Sequence, residues 1–259
     1  MTTSASELFD LSGKVAVITG GGGDIAREYA RALAAAGASV VLADLDASKA
    51  EASAAKLVSD GYQAMACPLD VTDPDSAASM AAATIQRFGG IDILVNNAAI
   101  MTDLPPYSFL DLPPDWFLRI VSVNVMGAQI CSRAVIGSML DRGGGRIVNG
   151  SSAGAFMAGG IYSLTKLALH SLTATLATEL GPKGINVNSI APGLIDSDSG
   201  YVQLPKDSAM RGHIEAGIPG KKAGPPSDLV GTLLLLCSKA GDWINGQTIS
   251  VDGGWIMRL

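Results

Sequence analysis

Tyr162 and Lys166 stand four residues apart in the chain. In a helix this spacing puts both side chains on one face, one turn apart. A tyrosine hydroxyl has an ordinary pKa of roughly 10, and a nearby ammonium favours the phenolate and lowers that value. The phenol can then exchange a proton with an alcohol or carbonyl oxygen. The pair is therefore a candidate acid/base, although the same spacing also occurs on solvated helix faces that have no chemistry.

A second candidate is the glycine run Gly20–Gly23, which follows an apolar segment. Such a run lets the backbone approach a pyrophosphate closely, and the free N–H groups of a following helix favour its negative charge. The alternative is an ordinary tight turn. A second apolar segment ends in Asp44, where an acidic residue would hydrogen-bond the ribose hydroxyls of a dinucleotide. The competing interpretation is that Asp44 or Asp46 only caps the next helix.

Apolar segments alternate with alanine-rich helical stretches along the whole chain. This alternation implies crossover connections and a parallel sheet that is covered by helices on both faces, an α/β fold. Ligands bind at the carboxyl ends of the strands in such a sheet, which is where the glycine run and Asp44 fall. We predict strands near 15–19, 39–43, 63–67, 91–95, 145–149, 185–190 and 247–251, with helices that include Ala47–Ser59, Ser76–Phe88 and Ile161–Leu180.

Composition excludes several other classes of protein. The 259 residues are 48% hydrophobic, enough for one large core, and no linker divides them. The net charge of −6 argues against a nucleic-acid partner. The three cysteines and two histidines lack metal-ligand spacing, so we expect no metal site. The first ten residues lack a signal-peptide pattern, and the apolar run Leu229–Cys237 is too short to cross a bilayer, so we expect a cytoplasmic protein without a membrane partner.

These motifs make the chain resemble the short-chain dehydrogenase/reductase family from Leu11 onward. The resemblance implies a single-domain, Rossmann-type doubly wound parallel sheet, with residues 1–10 as a short tail and residues 11–259 as one dinucleotide-binding and catalytic domain. Besides the glycine turn and the Tyr/Lys pair, it rests on Asp70-Val71, Asn96-Asn97-Ala98-Ala99, Val123-Asn124-Val125, Ile147–Ser152, Pro192–Ile195 and Asn245–Gly254.

The resemblance implies a catalytic role for four residues. Tyr162 would be the general acid/base, and Ser152 would polarise the substrate oxygen, with Ser151 as its competitor for that role. Lys166 would lower the pKa of Tyr162 and bind the nicotinamide ribose. Asn124 would hold a water in the proton relay, or would only fix backbone.

The resemblance also implies a set of residues that bind NAD. Within this set, Asp70 competes with a simpler role as a turn cap, and Asn97 is better explained as a residue that fixes backbone near the adenosine. The set comprises Gly20, Gly23, Asp24, Ile25, Asp44, Asp70, Val71, Asn97, Ala98, Tyr162, Lys166, Pro192, Gly193, Ile195 and Ser197.

Two departures from the family pattern lie in the glycine turn, where Asp24 and Ala26 occupy the second and third glycine positions. Alanine is tolerated at the third position, which serves helix–strand packing. Asp24 has two possible roles: it caps the helix Ile25–Ala36, or its charge faces the cofactor phosphates and weakens binding. A third departure is the interval from Ser152 to Tyr162, which is shorter than in many relatives and suggests a trimmed loop beside the substrate.

The function predicted from these residues is NAD-dependent hydride transfer between a secondary alcohol and its ketone. NADP would require Arg or Lys near the end of the second strand, where Asp44 and Asp46 stand. We expect a cyclic, aryl or medium-length alkyl substrate, because the segments that can reach the nicotinamide are apolar. Their apolar residues are Met101, Leu104, Phe156, Met157, Leu194, Ile195, Met210 and Ile214.

Two alternative functions stay open from the sequence. One is a 3-oxoacyl-thioester reductase, and the other is a catalytically silent, nucleotide-sensing protein that binds partners. Members of the resembled family are commonly tetramers, built through two long helices and the region of the C-terminal strand. The resemblance therefore implies a homotetramer.

Overall fold

A computed structural model of the chain describes residues 4–102, 104, 107–220 and 222–257. It contains one seven-stranded sheet in the order β3-β2-β1-β4-β5-β6-β7, and all six pairings are parallel. All seven predicted strands are confirmed, with ends that differ by at most two residues. They are β1 (Val15–Thr19), β2 (Ser39–Asp44), β3 (Ala64–Pro68), β4 (Ile93–Asn96), β5 (Gly145–Gly150), β6 (Ile185–Pro192) and β7 (Thr248–Val251).

Helices cover both faces of the sheet, so the fold is the predicted Rossmann-type doubly wound α/β fold. Because both faces are covered, the central strands read as continuous apolar runs, and all five residues of β1 are buried. The α-helices are α1 (Ala5–Leu8), α2 (Asp24–Ala35), α3 (Ala47–Ser59), α4 (Pro74–Phe88), α5 (Pro114–Val121), α6 (Gly127–Asp141), α7 (Gly160–Leu180), α8 (Asp198–Gln203), α9 (Ala209–Gly217) and α10 (Val230–Cys237).

Two buried clusters form the core, one on each face of the sheet. Residues of α2, α3 and α10 pack on one face, where Ile18 and Leu42 point. Residues of α4, α6 and α7 pack on the other face, where Val17 and Val41 point. Neighbouring residues of one strand thus enter opposite clusters, as the two-residue period of a strand requires.

The stretch Pro114–Asp141 is helical throughout, and a π-helical turn at Ser122–Met126 joins α5 to α6. By length and composition alone it could cross a membrane. Cys131, Val135 and Met139 are, however, fully buried in the cluster that contains α4 and the sheet. Packing in the core accounts for these apolar residues of the helix.

Residues 198–217, which contain α8 and α9, form a segment that we call the lid. Buried Arg211 holds it together: its guanidinium pairs with Asp196 and with Glu215, and it donates to the carbonyl of Leu204. The Gln203 amide also donates to the carbonyl of Met101, in the loop after β4. The lid therefore lies over the carboxyl edge of the sheet, where the predicted site residues lie.

Candidate active site

A cleft of about 1380 Å³ runs along the carboxyl edge of the sheet. The glycine turn, the ends of β2, β4, β5 and β6, the start of α7 and the lid all contribute to its walls. Every predicted cofactor-binding residue and three of the four predicted catalytic residues line it. These are Gly20, Gly23, Asp24, Ile25, Asp44, Asp70, Val71, Asn97, Ala98, Ser152, Tyr162, Lys166, Pro192, Gly193, Ile195 and Ser197.

Tyr162 and Lys166 lie one turn apart on α7, as their spacing predicts, and both face the cleft. Lys166 is buried, and its Nζ donates to the carbonyl of Gly150 at 2.6 Å. The same nitrogen lies 5.5 Å from the centre of the Tyr162 ring. The two side chains therefore meet at the end of β5, beside the serines that follow it.

The pKa values of this pair differ from the sequence-based expectation. Burial raises the pKa of Tyr162 to about 12, and a hydrogen bond with Ser152 acts in the opposite direction. Burial also lowers the pKa of Lys166 to about 8. Desolvation of the phenolate is the largest influence, so the net shift of the Tyr162 pKa is upward, and the effect of Lys166 on this pKa stays a prediction. At neutral pH the phenol keeps its proton and is ready to act as an acid.

The structure separates the two serines that follow β5. Ser151 is buried and donates to the carbonyl of Lys166, and its hydroxyl also lies 2.7 Å from Nε2 of His170. Ser152 instead lines the cleft with Tyr162, its Oγ accepts from the N–H of Gly154 at 3.1 Å, and its hydroxyl counts among the influences that lower the pKa of Tyr162. This geometry favours Ser152 as the serine that shares a substrate oxygen with Tyr162. His170 received no role from the sequence, yet its Nε2 contacts the hydroxyl of the competing serine, which also lines the cleft.

Asn124 is fully buried in the π-helical turn and does not line the cleft. Its Oδ1 accepts from the N–H of Ile100 at 2.7 Å, and its Nδ2 donates to the carbonyl of Ile100 and to Oγ1 of Thr165. The side chain thus ties the loop after β4 to α7, next to Lys166. These bonds support the alternative in which Asn124 fixes backbone, and its role in a proton relay stays a prediction.

Asp44, at the end of β2, presents its carboxylate to the cleft. Oδ2 accepts from the N–H of Gly22 at 2.9 Å, and Oδ1 accepts from the N–H of Asp46 at 2.9 Å. Asp46, not Asp44, caps α3 by accepting from the N–H of Lys49. Asp46 is therefore the residue that caps α3. The Asp44 carboxylate is instead held beside the glycine turn.

Lys49 is a cation at this end of the cleft that the sequence analysis did not consider. It lines the cleft, and its Nζ lies 3.4 Å from Oδ2 of Asp46. The sequence could have indicated that Lys49 lies near the cofactor, because this residue falls in the first turn of the helix that follows Asp44.

Two other predicted cofactor residues fix backbone. Oδ1 of Asp70 accepts from the N–H and the hydroxyl of Thr72, so its carboxylate makes the turn that the alternative proposed. Nδ2 of Asn97 donates to the carbonyls of Thr19 and Gly20, which confirms its backbone-fixing role. Both still line the cleft, so their backbone bonds shape its walls.

The glycine turn suits the close approach of a pyrophosphate. Gly20 has a φ of +65°, and a Cβ on Gly21 would lie 2.9 Å from the backbone of Leu42. The N-cap of α2 is Gly23, which has no side chain to bond the N–H groups of the first turn. Those N–H groups and the helix dipole favour an anion at this point. The residues present therefore fit a dinucleotide that extends from Asp44 to Tyr162.

Asp24 does not cap the helix, so that prediction is wrong. The helix starts one residue earlier than expected because Gly23 already has the extended backbone of an N-cap, with φ −81° and ψ 160°. Asp24 is the first helical residue. Its Oδ1 pairs with Arg27, and its Oδ2 accepts from the N–H of Asp198 at 2.5 Å.

The substrate end of the cleft is mostly apolar, with some corrections to the predicted set. Met101, Met157, Leu194 and Ile195 line the cleft as predicted, whereas the other four predicted residues do not. The centre of the Phe156 ring lies 4.8 Å from the centre of the His170 ring, the lid residue Ile214 packs against a small cluster that contains Leu194, and Met210 is exposed. Residues not assigned to the substrate end from the sequence also line the cleft: Gln203, Leu204 and Trp255.

The chain matches known proteins over almost its whole length. Residues 22–256 match a family model described as enoyl-(acyl carrier protein) reductase. An uncharacterised oxidoreductase of Mycobacterium tuberculosis is 44% identical over 245 residues, which cover 95% of this chain and 98% of that protein.

Solved structures show the same fold. A short-chain type dehydrogenase/reductase from Mycobacterium marinum superposes with a TM-score of 0.89 at 34% identity, covering 99% of this chain and 100% of the other. A gluconate 5-dehydrogenase from Burkholderia cenocepacia, solved with NADP and tartrate, superposes with a TM-score of 0.90 at 33% identity and covers 97% and 98%. These matches, together with the Tyr162/Lys166 pair in a dinucleotide cleft, show that the chain belongs to the short-chain dehydrogenase/reductase family, whose members are oxidoreductases that use nicotinamide cofactors.

Proposed function

We propose that the protein is an NAD-dependent dehydrogenase that interconverts an apolar secondary alcohol and its ketone. The observation that carries this proposal is the placement of Ser152, Tyr162 and Lys166 around one end of the cleft, with apolar side chains opposite them. The Ser152 hydroxyl lowers the pKa of Tyr162 and both residues line the same cleft, which supports a substrate oxygen that contacts both hydroxyls. The cleft then extends to Asp44, where an adenosine ribose fits.

A bound nicotinamide supplies the hydride acceptor or donor, and the protein positions it and manages the proton. In ketone reduction the Tyr162 hydroxyl donates its proton to the carbonyl oxygen, which Ser152 polarises. In alcohol oxidation Tyr162 takes the hydroxyl proton. Lys166 binds the nicotinamide ribose from its buried position beside Gly150, and its ammonium favours the phenolate when it is charged.

The first test concerns the choice between NAD and NADP. Asp44 should accept hydrogen bonds from free ribose hydroxyls and repel a 2′-phosphate, so kcat/KM should favour NAD(H) about tenfold, or about 1.4 kcal/mol. Asp44→Ala should narrow this gap chiefly by weakening NAD(H). Steady-state kinetics with both cofactors measures it.

Lys49 provides the matched comparison for that test, because it is the cation beside Asp44 and Asp46. Lys49→Met should leave kcat/KM with NAD(H) near the wild-type value and reduce any residual use of NADP(H). Equal or better efficiency of the wild-type protein with NADP(H) would refute the assignment of Asp44.

The second test concerns the substrate. A carboxylate or phosphate would lose its hydration against Met101, Met157 and Leu194 without gaining a partner there. We therefore expect kcat/KM for cyclohexanol-like, terpenoid or aryl alcohols to exceed that for hydroxy acids and sugars by about tenfold or more. A panel of alcohols, read by the absorbance of NADH, measures the order of preference.

A 3-oxoacyl thioester belongs in the same panel, because the sequence leaves that reductase open and the matching family model, described as enoyl-(acyl carrier protein) reductase, also concerns an acyl thioester. If that thioester or a polyol is the best substrate, the apolar-pocket argument fails while the dehydrogenase proposal stands. Absence of turnover with the whole panel, despite binding of NAD, would favour a nucleotide-sensing protein instead.

A further inference from the structure

Asp24 joins the two walls of the cofactor cleft. Its carboxylate bonds Arg27 on its own helix through Oδ1 and the N–H of Asp198 at the start of the lid through Oδ2, the latter at 2.5 Å. Asp24 and Asp198 are 174 residues apart in the chain. We call this contact between Asp24 and the Asp198 N–H the bridge.

The strand order shows where the bridge lies along the cleft. The glycine turn and Asp24 follow β1, which sits between β2, with Asp44 at its end, and β4. The lid begins after β6 and reaches back past β5 and β4 to touch Asp24. A ligand that extends from Asp44 to Tyr162 must therefore pass the bridge at its midpoint, where a dinucleotide has its two phosphates.

Charge makes this position unfavourable for phosphates while the bridge is closed. The Asp24 carboxylate lines the cleft at the first turn of α2, in the place where the helix N–H groups would bond an anion. Arg27 pairs with it and also donates to the carbonyl of Gly22. Asp198, which donates the N–H of the bridge, is exposed and also lines the cleft, so a second acidic residue belongs to this part of the wall. A diphosphate thus meets the Asp24 carboxylate, a second acidic residue and one cation that is already paired.

We propose that Asp24 is a gate for the cofactor diphosphate. The closed bridge holds the lid against the glycine turn, and a dinucleotide binds only when Asp24 releases the Asp198 N–H and turns out of the groove. Arg27 then loses part of its pairing with Asp24 and becomes available to a phosphate oxygen. This inference rests on the proposed nicotinamide-dependent function, and it assigns to Asp24 a weakening of cofactor affinity.

Four variants test the bridge through cofactor binding, without a measurement of turnover. Asp24→Asn keeps an oxygen acceptor of the same size and removes the charge. Asp198→Pro removes the donated N–H, and proline is compatible with the first position of a helix, which Asp198 occupies in α8. Asp198→Ala is the matched control, because it loses the same carboxylate and keeps the N–H. Arg27→Met leaves the Asp24 charge unpaired.

The readout is calorimetric affinity for ADP-ribose, which carries the diphosphate, and for adenosine, which carries no phosphate. We expect Asp24→Asn to bind ADP-ribose about tenfold more tightly than the wild type, and Asp198→Pro about tenfold more tightly than Asp198→Ala. Arg27→Met should bind it more weakly than the wild type. Adenosine affinity should be unchanged in all four variants, because Asp44 and the adenosine end of the cleft are untouched.

The outcomes separate the gate from the proposed function. If both Asp24→Asn and Asp198→Pro bind ADP-ribose no more tightly than their references, Asp24 is not a gate. The gate also fails if adenosine gains affinity equally, because that result indicates a general opening of the cleft. If the wild type and all variants bind neither ADP-ribose nor NAD, the nicotinamide-dependent function itself is overturned.

Discussion

Replacing Tyr162 by phenylalanine should lower kcat by at least ~10²-fold, the range that general acid–base catalysis supplies. The change removes one hydroxyl and leaves the ring, so the packing at the start of α7 is preserved. The affinity for NAD should stay close to that of the wild type, because the lost hydroxyl faces the substrate oxygen. Steady-state kinetics with the best alcohol and a separate titration of NAD measure the two effects.

The pH profile provides a second readout of the same variant. Burial raises the pKa of Tyr162 to about 12, so the fraction of phenolate grows as pH rises through the neutral range. Alcohol oxidation needs this proton acceptor and should accelerate with pH, whereas ketone reduction uses the protonated phenol and should not. Tyr162→Phe should lose this difference.

Tyr62→Phe is the matched control, because Tyr62 packs against the core outside the cleft and should keep wild-type kinetics. Turnover of Tyr162→Phe within a few-fold of the wild type would contradict the assigned role.

Replacing Lys166 by methionine should be as damaging to kcat, about 10²-fold, and should also weaken NAD binding about tenfold. Methionine has a similar length, so it fills the buried site while it removes the ammonium that donates to the Gly150 carbonyl. Loss of cofactor affinity together with turnover distinguishes this variant from Tyr162→Phe. Lys183→Met, at an exposed position just after α7, controls for the loss of one charge.

The pH dependence of the wild type gives a further expectation for Lys166. Burial lowers the pKa of Lys166 to about 8, so its ammonium is present below that pH and is lost as pH rises through it. The increase of oxidation with pH should therefore flatten near pH 8, and Lys166→Met should lack this break. A break that persists in the variant would assign it to another group.

Much of the fold could be predicted because the two patterns that define it, apolar strand segments and alanine-rich helical stretches, are local in the sequence. The first, second and fourth strands are apolar runs that stop at a polar residue, and α3 was predicted to its exact ends from alanine-rich sequence after Asp46. The place of the site could be predicted from the same patterns, because the residues that directly follow parallel strands meet at one edge of the sheet. Asp44 and Ser152 reached the cleft for this reason.

The failures have physical causes that local sequence does not reveal. The pKa of Tyr162 depends on how deeply the fold buries it, and desolvation cannot be seen from the spacing to Lys166. The lid helices α8 and α9 were not predicted, because they are short and contain Gly200 and Gly212. The sequence could not decide between the two roles of Asp24, because the extended backbone of Gly23 and the contact with Asp198 are properties of the tertiary structure.

The order of strands in the sheet also bears on how the chain folds as it is synthesised. The first four strands complete the segment β3-β2-β1-β4, and β5, β6 and β7 then join one after another at the same open edge. No later strand has to insert between earlier ones, so the sheet can grow as the chain leaves the ribosome, N-terminal part first. The half of the cleft around Asp44 is built early, the proton-transfer residues are added after β5, and the lid follows β6. A chain interrupted before β5 would expose the unpaired edge of β4, and we expect such fragments to aggregate.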